Sequence, residues 1–188
     1  MLKRIEEFKI YAEISGFKNV KISQAKEFLD KVSEEKPAGV EVQFFDAGRV
    51  ATWEHLFFAA LNALTAFKNK ENISKSLAME TLLYAAAERQ ITRAVELVGI
   101  RATSSEVAVL IIGKEPRKMK SALSMVSKDI GGQRDEGILE LSKDKVATIG
   151  RVFSISKAEL TTVMEKNDAE KAMTDLVVER MALLSTQR

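Results

Sequence analysis

The chain has 188 residues, with 29 Lys plus Arg against 27 Asp plus Glu, one His and no Cys. That length suits one domain, and an apolar share of 46% supplies a core without a disulfide or metal staple. Zero Cys excludes disulfides, thiolate metal sites and cysteine nucleophiles, and a net charge of +2 argues against a polybasic, histone-like binder.

Phe8, Ile10, Ala12 and Ile14 alternate with polar or mixed residues, a period of two that predicts a half-buried strand. Gly16 to Val20 reads as a turn. Ser23 is the expected N-cap of a helix whose inner face carries Ala25, Phe28, Leu29 and Val32, and Lys36-Pro37 ends it. Val40 to Phe45 is a second strand, stopped by Asp46-Ala47-Gly48. From about Thr52 to Lys68 runs the most apolar helix of the chain, with Trp53, Leu56, Phe57, Phe58, Leu61, Leu64 and Phe67. Apolar residues on nearly all of its faces predict a central, buried position.

Ser74 or Ser76 starts the next helix, through Met79, Leu82 and Leu83, and Glu88-Arg89-Gln90 interrupts it. A short helix then carries Ile91, Ala94, Val95 and Val98, with Gly99 just past its end. Val107 to Ile112 is continuously apolar, the pattern of a strand buried on both faces. Pro116 opens a helix with Met119, Leu123, Val126 and Ile130 inside, and Gly131-Gly132 closes it. Gly131 to Gly137 reads as a flexible loop, Ile138 to Leu141 as a short edge strand and Ser142 to Arg151 as a helix. Ser156 and Glu159 form a capping box, and Asn167 or Asp168 caps a last helix to about Leu184. There is no repeat or linker. The fold class expected is α+β, a small mainly antiparallel sheet packed against a central bundle of helices, as a single domain over residues 1–188. No stretch reaches the roughly 20 apolar residues that span a bilayer. Met1 to Glu13 lacks the apolar core of a signal peptide, so the chain reads as soluble and cytoplasmic, with no membrane partner.

Catalytic chemistry finds no seat. His55 lies on the apolar helix beside Trp53 and Leu56, the setting of a packed or capping residue. The Gly131–Gly137 run follows a helix and lacks the Lys-Ser or Lys-Thr of a phosphate loop. Gly113-Lys114 does join a strand to a helix start, where backbone N–H groups can hold one phosphate, but the rest of the motif is missing. No catalytic residue, metal or cofactor is expected. Cations do cluster: Lys114, Arg117, Lys118 and Lys120 at one helix start, and Arg89, Arg93 and Arg101 around another short helix. Solvated faces explain such clusters. If folding joined the two sets, they would form a groove able to track phosphates, so Arg89, Arg93, Arg101, Lys114, Arg117 and Lys118 are the candidate RNA-binding residues.

Phe44-Phe45-Asp46-Ala47 leads to Trp53-Glu54-His55-Leu56-Phe57-Phe58-Ala59-Ala60-Leu61-Asn62-Ala63, then Glu80-Thr81-Leu82-Leu83-Tyr84, Glu88-Arg89-Gln90-Ile91 and Gly99-Ile100. Phe153-Ser154-Ile155-Ser156, Glu159-Leu160 and Val178-Glu179-Arg180-Met181-Ala182-Leu183-Leu184 follow. This order resembles the small kinase-binding subunit of the KEOPS (EKC) complex, the PRPK-binding protein family, over nearly the whole chain. The resemblance implies a non-catalytic α+β subunit of the complex that installs threonylcarbamoyl on the tRNA adenosine next to the anticodon. Its implied partners are the atypical kinase/ATPase subunit and, as in archaeal members, the single-stranded 3′ tail of tRNA. The alternative is a kinase-regulating interaction module with no RNA contact of its own. On the last helix, Met173, Leu176, Val177 and Leu184 share one side. Val178 and Ala182 lie off that stripe, bridged by Met181, and these three are the candidate partner-binding residues, near the C-terminus as the resemblance implies.

Overall fold

The computed structural model describes residues 1–165, 168–184 and 186. Strand β1 (Leu2–Ile5) and a 3-10 turn (Glu6–Phe8) precede β2 (Ile10–Lys18). Helix α1 (Ala25–Glu35) leads to β3 (Val40–Asp46), and a 3-10 turn (Ala47–Arg49) leads to α2 (Trp53–Asn69), α3 (Leu77–Ala86) and α4 (Ile91–Val98). Strand β4 (Val107–Gly113) and α5 (Pro116–Asp129) come next, then β5 (Gln133–Arg134), a 3-10 helix (Glu136–Leu139), α6 (Lys143–Val152), α7 (Lys157–Val163) and α8 (Ala169–Leu184). This is the expected α+β class.

The sheet runs β1-β2-β4-β3, antiparallel throughout, and β5 pairs with β2 at Phe17 and Lys18. Every residue of β4 is buried, because both faces of the sheet are covered. Ala108, Leu110 and Ile112 face the core formed with α2, α3, α6 and α8. Val107, Val109 and Ile111 face a second core formed with α1 and α5, lined by Phe28, Val32, Met119, Leu123 and Val126. Phe44 and Phe45 show the same alternation, one to each core.

Four sequence expectations are corrected. Gly16 does not turn the chain: it pairs with Ala108 inside β2. Phe8 lies in a 3-10 turn, not in the strand. Ser23 does not cap α1, whose N-cap residue is Gln24, without a side-chain cap bond. Ile138 to Leu141 is not an edge strand, because β5 at Gln133–Arg134 takes the edge and a 3-10 helix follows. The Ser76 and Ser156 caps form as expected, and Ser142 also caps α6. The Lys171 amide donates to Asp168 Oδ1 at 3.0 Å, whereas Asn167 lies outside the described residues.

Gly16 is required by close approach. A Cβ there would lie 2.3 Å from the Asp135 carbonyl oxygen and 2.6 Å from Ile138 Cγ1. The Asp135 amide also donates to the Gly16 carbonyl at 2.9 Å, so the 133–139 segment is seated on this residue. We expect Gly16→Ala to destabilise the fold by about 1–3 kcal/mol, as overpacking does. A thermal melt reads this at roughly 2–4 °C per kcal/mol. An unchanged melting temperature would mean that the segment moves aside without cost.

Candidate functional site

His55 sits in the first turn of α2 and is fully buried. Its Nδ1 accepts the Ala51 N–H at 3.2 Å, so Nε2 carries the proton and donates to the Ala85 carbonyl at 2.8 Å. Phe153 meets the ring edge-on at 5.4 Å. Burial is the main cause that lowers its pKa from 6.5 to about 4. The Ala85 carbonyl opposes the shift, and the nearby Lys145 ammonium reinforces it. Both ring nitrogens are thus committed to backbone groups, which is the packed role read from its apolar setting.

The corner between β3 and α2 gathers charge. Asp46 accepts the Gly48 amide at 3.1 Å and the Ser104 hydroxyl at 2.8 Å, and it stands 4.0 Å from Arg49 Nε. Arg49 donates to the Glu96 and Leu97 carbonyls at 3.1 and 2.9 Å. Arg101 also donates to Glu96 O. Two guanidiniums therefore share the carbonyl end of α4, where the helix dipole favours cations. Burial, then Arg101 and also Arg151 lower the Arg49 pKa, with Asp46 opposing. Lys145, on α6 near this corner, donates to the Ile138 and Glu140 carbonyls at 2.9 and 3.2 Å. Desolvation lowers its pKa to about 8, against the pull of Glu106 and Asp46.

The predicted cations do not meet in one groove. Arg101 lies at the end of β4 where Asp46 pairs with Val107, its amide bonded to Ser104. Lys114 follows Gly113 at the other end, and a strand of this length separates the two by about 20 Å. Arg93 pairs with Glu88 at 3.2 Å, and Lys118 with Glu115 at 2.7 Å. Arg89, Lys114 and Arg117 are exposed. What the sequence reading missed is Arg49, which shares the carbonyl end of α4 with Arg101 and feels the charge of Arg151 from α6. Three separate elements bring them together, and no spacing in the chain announces it.

On α8, Met173, Leu176, Val177 and Leu184 are buried as the helix arithmetic requires. Met181 is also fully buried and so presents no surface, because its side chain points into the core rather than between two stripes. Val178 is half-buried and Ala182 exposed, with Leu183 beside them 42% exposed. The outward strip is therefore Val178 and Ala182, one turn apart, whereas Leu183 lies about 140° round the helix from Val178 on another face.

These surfaces lie around a histidine sealed in the core. The chain belongs to the kinase-binding protein CGI-121 family, whose model matches residues 17–185. It is also similar to the regulatory protein Cgi121 of Methanocaldococcus jannaschii, 31% identical over 117 residues, which cover 62% of this chain and 72% of that protein.

The His55 pKa has a consequence for stability. The folded value of about 4 is below the unfolded 6.5, so the stabilisation is complete above pH 6.5 and is lost as pH falls toward 4. At about 1.36 kcal/mol per unit, the loss over that window is on the order of 3 kcal/mol. Denaturant titrations of the wild type and of His55→Gln across this range check it. The wild type should weaken more steeply than the variant, and parallel curves would contradict the buried, neutral imidazole.

Proposed function

We propose that this chain is a non-catalytic, cytoplasmic subunit of a KEOPS-type complex, which makes threonylcarbamoyladenosine in tRNA. In this reading it binds the atypical kinase/ATPase subunit and helps recruit the single-stranded 3′ tail of tRNA. The observation that carries the reading is the match of residues 17–185 to a kinase-binding family. Support for the kinase face comes from Val178 and Ala182, apolar residues one turn apart on the outward side of a helix whose other side is already buried. Support for RNA comes from Arg49, Arg101 and Arg151. Arg49 and Arg101 converge on the Glu96 carbonyl, two like charges that favour an anion, and a guanidinium has five donors, more than these backbone bonds consume.

In this proposal Arg101, beyond the C-terminal end of α4, is the centre of the phosphate-tracking patch, and Arg93 in the first turn of α4 with Arg89 just before that helix extends it at the other end. Lys114, Arg117 and Lys118 form a second, separate patch. The alternative, a kinase-regulating module that does not touch RNA, is favoured by the ion pairs that already engage Arg93 and Lys118.

Two measurements test the proposal. Titration of tRNA with and without its terminal CCA should give clearly weaker binding for the trimmed form. Replacing Arg101 should lower the salt slope by roughly 0.7 per lost phosphate contact. Equal affinity for both tRNAs would leave the alternative. For the kinase face, Val178→Arg places a charge in a patch that binding desolvates, costing on the order of several kcal/mol. Co-purification with the kinase should be abolished while the melting curve of the variant shows a folded protein. Wild-type co-purification of a folded variant would put the kinase elsewhere.

A further inference from the structure

The start of α2, the segment before α6 and one face of α8 enclose a cleft of about 810 Å³. Clefts of roughly 300–1,000 Å³ are large enough to bury most of a ligand. Its apolar lining is Trp53, Phe58, Leu139, Leu141 and Val178, and Phe58 is 37% exposed although it belongs to the most apolar helix of the chain. Its rim is acidic. Glu54, Glu140, Glu170 and Asp175 line it, and none of the four makes an ion pair with a described residue. Asp168 lines it as well, but its carboxylate caps α8. Lys171 is the one cation of the lining. Beside the cleft, Lys3 Nζ stands 4.9 Å from the centroid of the Trp53 ring, so this surface already accepts an ammonium on an aromatic face.

We propose that this cleft receives a protein segment with an apolar anchor flanked by Lys or Arg. An aromatic contact surface inside a ring of unpaired carboxylates selects that chemistry on two counts. The anchor gains by covering Phe58 and Trp53, and the flanking cations relieve repulsion among the carboxylates. A nucleic acid, whose backbone is anionic, is repelled by the same rim. The inference shares Val178 with the kinase face proposed above but stands apart from it, because it concerns the charge and shape of the cleft and is read with peptides.

Trp53 is the chain's single tryptophan, so its fluorescence reports the cleft directly. The probes are two short peptides with the same Leu-Phe centre, one flanked by arginines and one by glutamates. The arginine peptide should change the Trp53 emission saturably, weaken as salt rises, and bind at least ~10-fold more tightly than the glutamate peptide. In Glu54→Lys/Asp175→Lys the preference should shrink or reverse, with a melting curve confirming a folded protein. Phe58→Ser, which leaves the rim intact, should weaken both peptides. Loss of the arginine peptide in the charge variant with undiminished kinase co-purification also supports the inference, and it places the kinase off the cleft. Equal affinity for the two peptides overturns the proposal, as does no binding of either to the folded wild type. Concentration-dependent self-association that quenches Trp53 without any peptide would assign the cleft to a second copy of the chain, and would overturn it too.

Discussion

The neutral imidazole of His55 joins three parts of the molecule that no strand pairing connects. It takes the Ala51 N–H at the entry to α2, gives its proton to the Ala85 carbonyl near the end of α3, and packs against Phe153 just beyond α6. Each of those backbone groups is buried, and leaving one unpaired costs roughly 1–3 kcal/mol. The candidate surfaces lie around this junction. Trp53 and Glu54 extend from the same turn of α2, Arg49 sits in the turn just before it, and Lys145 and Arg151 lie on α6. A protonated His55 would lose its acceptor role toward Ala51 and bury a charge beside Lys145, so the junction holds only with the ring neutral.

A net charge of +2 conceals a strongly divided surface. Arginines from the β3–α2 corner, the α4 exit and α6 collect at one place, held partly by the carbonyls of Glu96 and Leu97. Carboxylates from α2, the segment before α6 and α8 collect around the Trp53 cleft. None of the three arginines lines that cleft. Lys145 sits between these regions, its ammonium bonded to the Ile138 and Glu140 carbonyls, and it ties the segment beside the cleft to α6.

Periodicity made most of the fold legible. The unbroken apolar run of β4 signalled a strand covered on both faces, and the stripe of Met173, Leu176, Val177 and Leu184 signalled the inner face of α8. Features governed by distant contacts were not legible. β1 is exposed at Leu2, Lys3 and Arg4, so no alternation marks it, and it exists by pairing with β2. Gly16 has turn composition, yet it is a glycine because the Asp135 backbone crosses it. Of the candidate site, His55 as a packed residue and Val178 as an outward position followed from local setting and helix arithmetic. Met181 did not, because one step along a helix separates a buried side chain from an exposed neighbour and the phase was set by packing. The arginine cluster was out of reach for the same reason as Gly16: tertiary structure assembles it from Arg49, Arg101 and Arg151.

In the proposed function one small domain holds a kinase and an RNA on different surfaces. Native mass spectrometry of the chain mixed with the atypical kinase subunit and full-length tRNA tests it most directly. A ternary species in which kinase, chain and tRNA are present together is expected, at an abundance not reduced by excess of either partner. Mutual displacement, with only binary species at every ratio, would mean a shared surface and would contradict the account.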